Sequence, residues 1–521
     1  MSLPKRAEFT IIDDTFTPAM ITAQVPGAVW GAVLGVELVH VGSFGTTSID
    51  GSGRRPDEHT LFRIASMTKS FTAATLMSLR DDGALALDDP VAAHVPELAG
   101  LRGPTSDSPV ITLRHLLSMD AGIATDDAWA DRHLDASAAE LDRYFADGVT
   151  FAVAPGTAFE YSNLGYAILG RVITNVTGRP FQQVITERII NPLGLRDTVW
   201  VPEARHDDVA IGHRLVDGVP VVDVAPLGDG GLAAMGGLWS TIADLARWTC
   251  FIADAFPARD DADDGPLRRA TRREMQQVWR STPLEIEQVG DGGGWQRAGA
   301  VGYGAGLDVF DDLRLGPMAG HSGGLPGFGS NMRWCIERSL AIVALGNLTY
   351  APMGRTLRNA FDALVRADVV NALAPRRVVA VSAPLTAAAV ALVELLNEWD
   401  DTTAGAVFED NVDLDDVYNR RAAAARVLRE RVGVLTLDRI EATTAVAAKA
   451  FVRATRGEVT ILFDLSPRRP PRVQFYEVTV VEPELPPADE LAAGEAVAVD
   501  VDVAVDGDID GDIDGDAATE R

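Results

Sequence analysis

The sequence predicts an α+β fold: one antiparallel sheet assembled from strands near the two ends of a first unit, interrupted by a helical insertion and followed by a smaller α+β unit. Three observations carry that prediction. Strand-like runs occur at residues 26 to 45 and return at 306 to 347, whereas 84 to 300 holds mostly helical patterns and loops. Strands segregated from helices in this way argue against a wound βαβ repeat. A Pro, Arg and Val-rich linker at 371 to 384 then precedes two helical stretches and four strand-like runs. The expected organisation is a first domain over 1–370, a second over 385–481 and an acidic, disordered tail over 482–521.

The first element is a hairpin, with Ala28 to Leu34 and Glu37 to Gly42 as arms and the turn at Gly35; the second arm alternates, so one face is buried. After polar, Gly-rich residues 46 to 58, a helix begins near Ser66, carries Phe71, Ala74, Leu76, Met77 and Leu79, and stops at Gly83. Helices are expected at 112–119, 137–146, 162–177, 181–190, 241–254 and 268–280, with exposed loops at the Asp-rich 260–265 and the Gly-rich 290–294. Strands follow at 306–310, 330–336 and 340–347, and a helix near 353–368. In the second unit, helices near 386–400 and 413–431 precede strands at 434–442, 446–454, 458–465 and 472–481. That unit carries no cluster of nucleophile, base and metal ligand, so it reads as a binding, packing or dimerisation module and a route to a homo-oligomer.

A net charge of -29 excludes nucleic acid and anionic membrane surfaces as expected partners, since both need clustered positive charge. From Glu482 onward there are 14 acidic residues and one basic, Arg521. The spacing Asp506-Gly507-Asp508-Ile509-Asp510 resembles a calcium loop, but Ala517 stands where such a loop needs a bidentate Glu, so low-complexity disorder is the better reading. Cys250 and Cys335 lie among apolar residues and read as buried thiols. The N-terminus shows no apolar signal-peptide core, and the longest uncharged run, Val378 to Val393, is shorter than the ~18 residues a membrane span needs. A soluble, cytoplasmic protein without cofactor or metal is expected.

The chemistry centres on Ser66-Met67-Thr68-Lys69. Residues i and i+3 share a helix face, so hydroxyl and ammonium can exchange a proton. Spacing alone is weak, because Ser2 and Lys5 match it too. Composition adds weight: of 46 basic residues, Lys5, Lys69 and Lys449 are the lysines and 43 are arginine. Arginine cannot release its proton at accessible pH, whereas a buried lysine can be tuned into a base. Two further motifs could complete a site: Tyr161-Ser162-Asn163, after a turn at the mouth of a helix, and His321-Ser322-Gly323-Gly324, where the chain re-enters strand structure.

In that order the three motifs resemble the serine β-lactamase and DD-peptidase superfamily, in its class C-like branch of β-lactamases, D-amino-acid-specific aminopeptidases, DD-carboxypeptidases and family VIII esterases. Val25-Pro26-Gly27, Pro192-Leu193-Gly194-Leu195, Gly236-Gly237-Leu238-Trp239-Ser240, Tyr303-Gly304-Ala305-Gly306 and Gly324-Leu325-Pro326-Gly327 agree, and the resemblance covers roughly residues 20 to 368. It implies a β-lactamase/transpeptidase-like antiparallel sheet. It also implies Ser66 as nucleophile, Lys69 and Tyr161 sharing general-base and general-acid work, and Asn163, His321, Ser322 and Gly323 binding substrate. The N-H groups of Ser66 and Gly324 would form the oxyanion hole, each donor being worth ~3 kcal/mol of the barrier. A free tyrosine titrates near ~10, so a basic Tyr161 at neutral pH needs on the order of 4 kcal/mol of help, which a nearby Lys69 cation could supply.

The chain departs from the family at two places. His321-Ser322-Gly323 replaces Lys-Thr-Gly, and a neutral imidazole is a poorer carboxylate anchor, which favours esters, amides or amino-terminal substrates over β-lactams. Met119-Asp120-Ala121-Gly122 stands where relatives have His-Thr-Ser-Gly, with no consequence evident from sequence. The leading expectation is a serine hydrolase forming an acyl-enzyme on a small ester or amide. A β-lactamase or DD-carboxypeptidase, an acyltransferase and a non-catalytic ligand sensor are the alternatives.

Overall fold

The computed structural model describes residues 6–202, 208–223, 227–282, 285–289, 295–299 and 301–481. The expected Gly-rich loop at 290–294, the tail over 482–521 with its Asp506–Asp512 repeat, and the Ser2/Lys5 pair lie outside the described residues. The chain divides into two compact units, Met1–Arg377 and Val378–Arg521.

The first unit is built on an eight-stranded antiparallel sheet. Its strand order is Glu37–Gly45, Gly27–Leu34, Leu340–Gly346, Phe328–Cys335, Gly316–Leu325, Asp308–Asp312, Val301–Tyr303, Arg280–Ser281. The join between early and late strands runs from Ala28 opposite Gly346 to Leu34 opposite Leu340. Phe328–Cys335 and Leu340–Gly346 are buried along their whole length because both sheet faces are covered. Side chains alternate between two cores. Trp30, Ile342 and Ala344 pack with Phe9, Ile12, Phe16 and Phe361 of the flanking helices, while Val29, Val343 and Leu345 pack with the helical insertion.

Several elements differ from the sequence expectation. The helix Thr10–Thr22 is additional; its Ile12, Phe16 and Met20 recur every four residues, but Pro18 obscures the helical signal. Gly316–Leu325 is a full strand, hidden by its four glycines, which strands normally avoid. The helix expected over 268–280 stops at Met275, because Trp279 donates its N-H to Tyr303 O at 2.9 Å and Arg280–Ser281 joins the sheet edge. Cys335 is buried, but Cys250 is partly exposed because it falls off the inward stripe of Leu245, Trp248 and Ile252 on the helix Ile242–Ala253.

The second unit is a four-stranded antiparallel meander, Leu435–Ala442, Ala447–Ala454, Glu458–Leu465 and Val473–Val481, in that spatial order. Its core joins Leu385, Leu392 and Leu396 of the helix Ala383–Asn397 to Ala450, Val452, Ile461 and Phe463. The helix expected over 413–431 is two: Asp410–Asp415 and Tyr418–Val432, separated where Asp416 is extended and Asp413 accepts the N-H of Tyr418 at 2.8 Å.

The helix Thr68–Asp81 is buried over all but its last two residues, and Phe71 stacks on Trp248 with ring centroids 4.2 Å apart. Phe71→Ala is expected to cost ~3–5 kcal/mol, as for large-to-small changes in a close-packed core. The measurement is the urea midpoint of the first unit's unfolding, which should fall well below that of the wild type.

Candidate active site

Ser66 lies in a single 3-10 turn, Ala65–Met67, that feeds the helix Thr68–Asp81. The residue before it, Ala65, is held at φ +49°, a left-handed conformation costly for a residue with a Cβ. One turn on, Lys69 is completely buried. Its Nζ donates to Ser66 Oγ at 3.0 Å, Asn163 Oδ1 at 2.6 Å and Met235 O at 2.9 Å. Those three acceptors match the three protons of an ammonium. The rings of Tyr161 and Tyr166 flank the charge at 4.9 and 5.6 Å. Burial pushes Lys69 down to about 8, against the pull of Asp131, Asp127, Asp126 and Asp308, which favour the cation.

Tyr161 and Asn163 reach this point from the start of the helix Asn163–Thr177. Ser162 caps that helix, its Oγ accepting the N-H of Gly165 at 3.0 Å. Asp126 adds a two-pronged cap, accepting the N-H of Asn163 at 2.7 Å and of Leu164 at 2.8 Å. The Asn163 amide nitrogen donates to Asp127 at 2.7 Å. Tyr161 lines the cleft with Ser66, and burial raises its phenol well above 10, the reverse of the lowering that a neighbouring Lys69 cation was expected to bring. Met119-Asp120 proves to be a brace for the preceding loop. Met119 O takes the N-H of Glu160 and its sulfur faces the N-H of Ser162, while Arg280 ties Asp120 to Gly156 O.

The strand Gly316–Leu325 forms the opposite wall. A Cβ on Gly323 would lie 2.3 Å from Ser330 Oγ and 2.5 Å from Ile64 O, so this close approach to the Ser66 turn requires glycine. A Cβ on Gly324 would meet the ring of Tyr350, which is itself at φ +51° and donates its hydroxyl to Asp131 at 2.6 Å. His321 is buried and has both ring nitrogens engaged, Nδ1 with Ser322 O and Nε2 with Tyr303 Oη at 2.9 Å. A carbonyl only accepts, so Nδ1 carries the proton and Nε2 accepts from Tyr303. Burial lowers its pKa, and the ring faces the cleft neutral. The resulting cleft, about 380 Å³, is lined by Ser66, Tyr161, His321, Ser322, Gly323 and Gly324, and also by Asp127, Asp131, Asp308 and Tyr350.

The sequence model of the beta-lactamase family matches residues 12–367. The chain belongs to the beta-lactamase family. It is 31% identical over 211 residues to the D-alanyl-D-alanine-carboxypeptidase/endopeptidase AmpH of Escherichia coli K12, a match covering 40% of this chain and 52% of AmpH. The chain thus spans about half the length of that relative. Esterase EstB of Burkholderia gladioli is 28% identical over 387 residues, covering 66% of this chain and 92% of EstB. In fold the chain is similar to the octameric penicillin-binding protein homologue from Pyrococcus abyssi, with a TM-score of 0.58 at 20% identity, over 91% of this chain and 96% of that one.

Within this beta-lactamase-family domain, all the residues singled out from sequence meet at one cleft: Ser66, Tyr161, His321, Ser322, Gly323 and Gly324 at its surface, with Lys69 and Asn163 fully buried behind Ser66. Asp126, Asp127, Asp131, Asp308, Tyr350 and the Met235 carbonyl were not anticipated. The pair Asp126-Asp127 ahead of Trp129 had a readable capping signal, but the helix it starts, Asp127–Ala130, is a single turn. Among the described residues no group of three or more His, Cys, Asp or Glu side chains is arranged to hold a metal ion, and no helix is long and apolar enough to cross a membrane.

The two glycines of the wall should differ in tolerance. Gly323→Ala drives a methyl into backbone and is expected to cost ~1–3 kcal/mol by overpacking. Gly324→Ala meets the ring of Tyr350, a half-exposed residue that can turn aside at the loss of its hydrogen bond to Asp131, and should cost less. Thermal unfolding of the two variants side by side checks the order.

Proposed function

We propose that the first unit is a serine hydrolase that acts through an acyl-enzyme on Ser66, on small esters or amides. The observation that carries this reading is the hydrogen bonding of Lys69. When the amine is neutral, its two protons are committed to Asn163 Oδ1 and Met235 O, so its lone pair is left facing Ser66 Oγ. A group held down to about 8 has a usable neutral fraction near physiological pH.

In acylation Ser66 Oγ bonds to the substrate carbonyl carbon as its proton passes to Lys69. Negative charge gathers on the carbonyl oxygen, which the N-H groups of Ser66 and Gly324 would receive. Tyr161, still protonated, donates to the departing alkoxide or amine as that bond breaks, and recovers a proton from Lys69. Water then attacks the ester on Ser66, and the same groups return the proton to Oγ. Asn163 holds Lys69, and His321, Ser322 and Gly323 shape the substrate wall.

The cleft charge bears on the substrate. Asp127, Asp131 and Asp308 line it, and Lys69, the adjacent cation, is buried behind Ser66. A substrate carboxylate, as on a β-lactam or a peptide C-terminus, would meet like charge, whereas a neutral or amine-bearing acyl group would not. That favours esterase or D-amino-acid peptidase chemistry over β-lactamase or DD-carboxypeptidase chemistry.

Ser66→Ala is expected to reduce turnover by on the order of 10⁴–10⁶ and to abolish labelling by a fluorophosphonate, and undiminished hydrolysis in that variant would sink the mechanism. Lys69→Arg should be equally inactive, because a guanidinium holds its proton. The pH–rate profile of the wild type should rise through about 8 as Lys69 loses its proton. A panel of p-nitrophenyl esters and anilides, with and without a free amine or a carboxylate, should show the carboxylate-bearing members as the poorest substrates. Equal or better turnover of those members would exclude the charge argument.

A further inference from the structure

We propose that Asp127 is the positioning residue of this site, fixing the Asn163 amide so that its oxygen, and not its nitrogen, faces Lys69. The inference rests on the acyl-enzyme reading above and adds to it a residue that no sequence motif marks.

An asparagine amide has two ends of nearly equal size and opposite hydrogen-bonding character. Here one end sits 2.6 Å from Lys69 Nζ and the other 2.7 Å from Asp127 Oδ1. Rotated by half a turn, the amide would set N-H against the lysine donor and oxygen against the carboxylate. Both contacts would then be repulsive. Asp127 is acceptor-only when ionised, so it enforces one orientation whatever the protonation state of Lys69. Lys69 cannot enforce it alone, because a neutral amine could accept as readily as donate, and its lone pair would then turn from Ser66 toward Asn163. By holding the oxygen inward, Asp127 commits one lysine proton to Asn163 and leaves the lone pair for Ser66.

A purely structural role is already filled by its neighbours. The first N-H groups of the helix Asn163–Thr177 are taken by Asp126 and Ser162, so Asp127 is not needed as its cap. Asp127 instead reaches the side chain, and it does so from the wall of the cleft. Its charge also acts on Lys69 together with those of Asp131, Asp126 and Asp308, while the Tyr161 and Tyr166 rings and neutral His321 complete the surroundings. Removing the Asp127 charge therefore favours the neutral amine.

The test compares Asp127→Ala, which removes the acceptor, with the near-isosteric Asp127→Asn, which removes the charge. Each is assayed in the full chain on a neutral p-nitrophenyl ester across pH. Asp127→Ala is expected to lose on the order of 10–100-fold in kcat with KM changed by less than about threefold, the signature of a misplaced catalytic group. In both variants the rising limb of the pH–rate profile should move to lower pH, while the thermal midpoint stays near that of the wild type. Wild-type kcat and an unmoved limb in both variants overturn the proposal, as does a kcat loss that merely tracks a lowered thermal midpoint with the limb unmoved. Ser66→Ala run alongside separates the two readings: if it is inactive, such results count against Asp127 alone, and if it remains active the acyl-enzyme reading itself fails.

Discussion

The site is organised by the burial of one ammonium group. Removing Lys69 from water is expensive unless its protons and charge find partners, and each partner comes from a different part of the chain. Ser66 lies one turn earlier in the same segment, Asn163 begins another helix, and Met235 offers a carbonyl from the stretch before Gly236-Gly237. Four carboxylates offset the remaining charge. Satisfying one lysine thus fixes the relative positions of three segments of the first unit, and the sheet supplies the fourth side through Gly323, which lets its strand lie against the turn that presents Ser66.

The same balance explains why Lys69 and Tyr161 shift in opposite directions. Desolvation disfavours whichever form is charged, so it pushes an ammonium down and a phenol up. Lys69 ends near 8 and Tyr161 well above 10. A simple pair of charges would have suggested the opposite exchange, with the lysine cation lowering the phenol. The geometry resolves this: Nζ lies over the face of the Tyr161 ring, 4.9 Å from its centroid, so the cation interacts with the π system. One member of the pair is then suited to take a proton and the other to give one.

What was legible in the sequence divides along physical lines. The four strands of the second unit were readable because one-sided burial writes a period of two into the residues, and the hairpin at Gly27–Gly45 because two apolar runs flank the turn at Gly35. The candidate site residues were readable because Ser66, Lys69, Tyr161, Asn163 and His321 sit in short motifs whose order is a signature. The strand Gly316–Leu325 was not, since the close approach that makes Gly323 necessary also removes the side chains that advertise a strand. Asp126, Asp127 and Asp131 belong to a one-turn helix and its flank, too short for periodicity to register. Their meaning lies in partners such as Asn163, Leu164 and Tyr350, which are 36 to 219 residues away in sequence.

The arginine-rich composition gives Lys69 its sharpest interpretation. Burial of a cation is not unusual in this chain: Arg269 and Arg272 are 4% and 3% exposed, and Arg269 is satisfied by Asp261 and by the carbonyls of Asp261 and Ala262. Where a permanent buried charge is wanted, the chain uses a guanidinium, whose five donors can engage several acceptors and whose proton does not leave. A guanidinium at position 69 would overfill three acceptors that suit an ammonium, and it would present no lone pair to Ser66. What distinguishes Lys69 is therefore not its burial but the combination of burial with a dissociable proton. That combination has a use where a proton must be taken up and released.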